Sequence, residues 1–177
     1  AFGISTLLTL LLYRYAFVDE GVFRAGLEGI GEALACTAAG LVLAAVVTPA
    51  LVRWIGRTWT VRAALIAAVL SQVVVAALLS MPAVLAGAFV IGMTGQIVKL
   101  CTDAAVQSEV RDAALGRVFA LYDVVFNVGY VIAVTVTALL SPPDGRAPLL
   151  LGAAALLYVV GYLGHDLLLL LRRRKAS

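Results

Sequence analysis

Charged side chains are scarce in this sequence. Asp, Glu, Lys and Arg make up 13% of its 177 residues, against about 25% in a soluble domain. A chain with so few polar groups cannot cover a water-facing surface. Histidine occurs once, at His165, and cysteine twice, at Cys36 and Cys101. Both cysteines lie in apolar runs with no Cys or His at metal-ligand spacing, which reads as small buried thiols and excludes a disulfide framework or a zinc site. Gly-x-Ser-x-Gly, His-Glu-x-x-His and a phosphate-binding loop are all missing, so the sequence implies no enzyme and no cofactor. The alternation over about 10 residues that marks a barrel strand is missing too. Ala1 opens directly into apolar sequence with no Met or basic leader, so no signal peptide is read there.

What fills the chain instead is hydrophobic sequence, 63% of residues with a mean hydropathy of +1.08, in long Ala-, Leu- and Val-rich runs. In lipid a helix satisfies its own backbone, so the fold class is an all-α membrane protein, a bundle of six transmembrane helices. The predicted helices cover 2–12, 27–51, 60–79, 82–105, 114–140 and 147–171. The first, at about 1.5 Å per residue, reaches only about 16 Å against a hydrocarbon core of about 30 Å. It is expected to begin in mid-helix with Ala1 near the middle of the membrane, or else to be a re-entrant segment. A polar connection over 13–31 follows it. Pro82 suits the first turn of the fourth helix, and Ser141-Pro142-Pro143-Asp144-Gly145 ends the fifth.

The basic residues set the orientation. Arg53, Arg57, Arg62, Arg111, Arg117, Arg172, Arg173, Arg174 and Lys175 fall at one side, and Arg14, Arg24 and Arg146 at the other, with Lys99 inside a span. Short cytoplasmic loops carry the excess of Lys and Arg. The 53–62 and 107–117 turns and the C-terminus are therefore assigned to the cytoplasmic side of a plasma membrane. This distribution makes the net charge of +3 a matter of topology and not of nucleic-acid binding.

Two turns carry a resemblance. The stretch from Val110 to Val118, VRDAALGRV, joins two long apolar runs as a charged hairpin. Gly116-Arg117 is read as opening the second of these helices, with Asp112 placed to cap it. The turn resembles the link between helices 10 and 11 of major facilitator superfamily transporters, commonly Val-Pro-Asp and then Arg-Gly-Arg-Val. Val110, Asp112, Gly116, Arg117 and Val118 match; Arg111 stands where Pro is usual and Leu115 where the first Arg is. The link over 49–62 resembles the second-half copy of the superfamily's Gly-x-x-x-Asp-Arg-x-Gly-Arg-Arg loop. There Gly56 and Arg57 match, while Pro49, Arg53, Trp54 and Thr58 replace the first Gly, the Asp, the first Arg and the last Arg. Loss of the acidic residue puts a gating role for this loop in doubt. A plainer reading has Arg53, Arg57 and Arg62 anchor the turn, with Trp54 and Trp59 at headgroup level.

The resemblance covers essentially the whole chain. It implies one domain, helices 7–12 of a twelve-helix transporter with the first truncated. It further implies two inverted three-helix repeats, a lipid bilayer around them and a missing N-terminal half as partner. The function implied is secondary active transport of a small solute by alternating access, with proton coupling as an option. The rival is a six-helix membrane protein with a structural or partner-binding role, separated by whether about six more apolar runs lie upstream. An intramembrane enzyme using His165 is a weaker third.

Ionisable groups inside a span usually face the bundle interior or a cavity. Gln96, Lys99 and Asp103 share one face of the fourth helix, Asp123 and Asn127 one face of the fifth, and Glu28 and Glu32 the outer start of the second. Lys99 and Asp123 are equidistant from Arg111, so an ion pair across the hairpin is expected; pairing of Lys99 with Asp103, or snorkelling, competes. His165 and Asp166 are read as interfacial, because adjacent helical residues point about 100° apart. The inter-half contact implied by the resemblance places small residues on exposed faces of the second and fifth helices: Ala35, Ala38, Ala39, Gly40 and Gly129.

Overall fold

The computed structural model describes residues 2–19, 26–109, 112–142 and 146–176. These form six helices. α1 runs Phe2–Leu11, passes through a π-helical turn at Leu12–Ala16 and ends in one turn at Phe17–Asp19. α2 is Leu27–Ile55, α3 Arg57–Leu78, α4 Met81–Glu109, α5 Asp112–Leu140 and α6 Pro148–Ala176. Among the described residues there is no strand. Five helices, α2 to α6, are long and apolar enough to cross a membrane, and α1 contributes a shorter apolar helix. The protein is a multi-pass membrane protein.

α1 is longer than its apolar run implied. The helix does not stop at Leu12, because the stretch beyond it is core and not a polar connection. Tyr13 and Phe17 are fully buried, stacked edge-on with ring centroids 5.1 Å apart, among Leu8, Leu12, Val84 and Ala154. Through Asp19 the segment holds 18 residues, about 27 Å of helix at 1.5 Å per residue. The expectation for Ala1 falls outside the described residues.

The link between α2 and α3 is shorter than expected. The stretch 49–62 is not a loop: Pro49 lies inside α2, and Gly56 alone separates α2 from α3. Gly56 has φ +81° and ψ +154°, a region nearly closed to residues with a Cβ. Its N–H donates to the Val52 carbonyl at 3.0 Å and its carbonyl accepts from the Thr60 N–H and hydroxyl at 3.1 and 2.9 Å. One residue thus closes one helix and caps the next. Pro82 does sit in the first turn of α4, where its missing N–H costs nothing.

The packing repeats. α2 packs on α4 as α5 packs on α1; α3 packs on α4 as α6 packs on α1; α3 and α6 pack on each other. Exchanging α1–α3 for α4–α6 maps these contacts onto one another, but α2 also packs on α3 with no comparable α5–α6 packing among the described residues, and the residues show no legible repeat. The α2–α4 crossing is the closest. A Cβ on Gly40 would stand 2.2 Å from the Phe89 carbonyl oxygen, and one on Gly92 would stand 2.5 Å from the Thr37 carbonyl oxygen. Only glycine at both positions lets the two backbones meet, as helix association in lipid favours. α5 is the opposite case: just 6% of its apolar stretch is buried in this bundle.

Candidate functional site

The polar residues of α4 and α5 come nearest one another where Lys99 meets Tyr122. The Lys99 ammonium bonds the Asp103 carboxylate at 3.2 Å, one turn away on its own helix, and lies 5.5 Å from the centre of the Tyr122 ring. The i,i+4 spacing brings the two charges together without help from a second helix. The ion pair expected between Lys99 and Asp123 is not present. The hairpin argument assumed that α4 and α5 lie side by side along their length. They touch only sparsely, because α5 is packed against α1, and Tyr122 instead of Asp123 is the α5 residue placed against the ammonium.

Asp103 holds one oxygen on Lys99, while its Oδ1 is buried with no hydrogen-bond donor. Gln96 is half-buried on the same helix. On α5, Asp123 and Asn127 are both exposed, and the Asn127 amide donates to the Asp123 backbone carbonyl at 2.7 Å. Glu32 is not part of this group. It is half-buried on α2.

The two resemblance motifs fare differently. Gly56 holds the one-residue joint described above, with Arg57 opening α3. Gly116 and Arg117 do not open α5; the helix starts at Asp112, so both sit inside it, exposed. The Asp112 cap lies outside the described side chains.

Three features were missed in the sequence. The first is a tie between α3 and α6: Arg62 Nε bonds Asp166 Oδ1 at 2.7 Å, and the guanidinium stacks 4.9 Å from the Trp59 ring centre. Arg62 is thus no simple turn anchor, and Asp166 is engaged with it. His165 keeps a buried Nε2 without a partner. The second is a cavity of about 220 Å³ inside the bundle. The third is Gln72, 2% exposed at that cavity's wall, its Oε1 without a donor. A lone amide in the apolar run 60–79 was the available signal. Of the two thiols, Cys101 is buried and Cys36 only partly. Of the five small residues expected on open faces, Ala35, Ala38, Ala39 and Gly129 are exposed, and Gly40 is buried in the α2–α4 crossing.

Comparison with known proteins gives two close relatives. The chain is 40% identical over 168 residues to an uncharacterised MFS-type transporter of Mycobacterium bovis and, equally, to one of Mycobacterium tuberculosis. The matched stretch is 93% of this chain and 36% of each relative, so the chain spans little more than a third of the proteins it matches. No family model matches the chain, and no solved structure does.

Proposed function

Because the chain is a homologue of part of the MFS-type transporters over 93% of its length, we propose that it forms helices 7–12 of a twelve-helix secondary transporter. The whole protein moves a small solute across the plasma membrane by alternating access, this half rocking against an N-terminal half around a midplane site. Its C-terminus and the joint at Gly56 face the cytoplasm, following the excess of Lys and Arg at that end.

The observation that carries this reading is the exchange pattern of helix contacts, α1–α3 for α4–α6, in a chain whose relatives are transporters. A rocking half also needs a face that its own bundle leaves uncovered. α5 supplies one, with Leu121, Val124, Val125, Val128, Val131 and Ile132 all exposed. The polar strip of Gln96, Lys99, Asp103, Asp123 and Asn127 beside it is the proposed lining for solute or coupling ion. The Lys99–Asp103 pair is its proposed movable element. Glu32 is a second coupling candidate.

The test is transport by the full-length protein in proteoliposomes, with a panel of small solutes and an imposed pH gradient. Uptake of at least one solute, reduced by Asp103→Asn, supports the reading. A correctly folded protein that moves none of them, and whose gene encodes no further apolar segments upstream, favours the structural rival.

A further inference from the structure

A cleft of about 620 Å³ opens where the end of α2, the start of α3 and the last turns of α6 come together. No residue of α4 or α5 lines it, so it is separate from the polar strip on those helices. Ile55 of α2, Arg57, Trp59 and Arg62 of α3, and Asp166 and Leu170 of α6 form its wall. We propose that this cleft binds the phosphate of an anionic phospholipid, with Arg57 and Arg62 as the donors.

Charge selects an anion. The wall carries two guanidinium groups and one carboxylate. Arg62 is held in place by its Nε bond to Asp166 at 2.7 Å and by its stack on Trp59, 4.9 Å from the ring centre. That arrangement spends the Nε and leaves the terminal nitrogens of the fork, a geometry that matches phosphate oxygens. Asp166 offsets one guanidinium charge, and the second stands on exposed Arg57. Arg53, in the last turn of α2, adds a further positive charge nearby. Asp166 is the only acidic residue in 49–62 or 163–177, while the sequence runs on from Leu170 into Arg172, Arg173, Arg174 and Lys175.

The surroundings select a lipid over a free phosphate. The cleft lies where two apolar spans end, α2 at Ile55 and α3 at Arg57. Trp54 and Trp59 are exposed there, as indole rings are at headgroup depth. Ile55 and Leu170 are exposed as well, so apolar surface continues from the cleft along the helices. A soluble phosphate makes no use of that surface, whereas a phospholipid lays its acyl chains on it. Basic pockets between helices at a membrane surface take anionic headgroups for this reason. The volume suffices for a glycerophosphate group, since about 150 Å³ already admits benzene.

The test uses the full-length protein in neutral detergent, with dioctanoyl phosphatidylglycerol and dioctanoyl phosphatidylcholine as probes. Their acyl chains are identical, and only the first has a net negative headgroup. Retained lipid is counted by native mass spectrometry. Phosphatidylglycerol is expected to bind about tenfold more tightly, the effect of one hydrogen bond between charged groups. Arg57→Gln leaves a wall with no net charge and should bring the two lipids to parity; the residue is exposed, so the core is untouched. Arg117 is exposed too, but it lies on α5 outside the cleft, and Arg117→Gln should leave the preference unchanged. Inorganic phosphate at the concentration of the lipid should not displace it. Equal binding of the two lipids to the unaltered protein overturns the proposal. So does an equal loss in the Arg117 variant, which would mean diffuse surface charge, or displacement by inorganic phosphate, which would mean a site for the free ion. None of these readouts requires solute movement, so they stand or fall apart from the transport reading.

Discussion

Arg62 and Asp166 lie 104 positions apart and meet at 2.7 Å. The bond ties α3 to α6, the two helices that exchange with each other when the halves of the bundle are interchanged. Side-chain exposures of 22% and 27% leave the pair in contact with solvent or headgroups, so its strength is closer to that of a surface pair than a buried one. Asp166→Asn is expected to lower stability by about 1 kcal/mol, read as a small fall in the unfolding temperature of the full-length protein. The exchange Arg62→Asp with Asp166→Arg should recover most of that loss. A double variant no better than the singles would show that the guanidinium acts through its stack on Trp59 instead.

A Cβ at position 40 has no room. Gly40→Val should force α2 and α4 apart, since the obstacle is the Phe89 backbone and not a side chain that can turn away. Overpacking of this kind costs about 1–3 kcal/mol or more, and the yield of folded protein should fall sharply. Gly31→Ala on the same helix is the control, because nothing stands within 4 Å of a Cβ there. Equal yields for the two would contradict the close crossing.

Gly56 tests the joint between α2 and α3. At φ +81° and ψ +154°, Gly56→Ala should cost about 1–3 kcal/mol. If thermal unfolding of the variant matches that of the unaltered protein, the joint is not held in this conformation.

Lys99 separates the two pairings. In a transport assay, Lys99→Asp with Asp103→Lys should retain more activity than either single change, because the i,i+4 contact survives reversal. Lys99→Asp with Asp123→Lys should not recover activity, since Asp123 forms no ion pair with Lys99. Recovery in the second swap and none in the first would reinstate the pair across the hairpin.

Much of this fold was legible because hydrophobic length is a one-dimensional signal. All six helices lie where apolar runs placed them, with α5 ending at Leu140 as expected. Helix ends were less legible, since a helix continues past its apolar run wherever neighbours bury the next residues. Tyr13 and Phe17 look like the edge of a polar turn, yet both are buried in the core cluster. The partner of Lys99 was illegible for a related reason: equal distance from a turn fixes depth only if the two helices stay adjacent. Arg62–Asp166 and the Gln72 cavity are tertiary facts, and no local pattern announces which distant helix will face a given residue.

The most direct test of alternating access uses Asn127→Cys in the full-length protein, with Cys36 and Cys101 first replaced by serine. Asn127 lies near the middle of α5 and is exposed in this bundle. If its face lines a pathway that opens in turn to either side, a membrane-impermeant thiol reagent should modify it from each side of sealed vesicles, and reaction from one side should slow when the other is favoured by a bound solute. Modification from one side only under every condition, or from neither, would contradict the account.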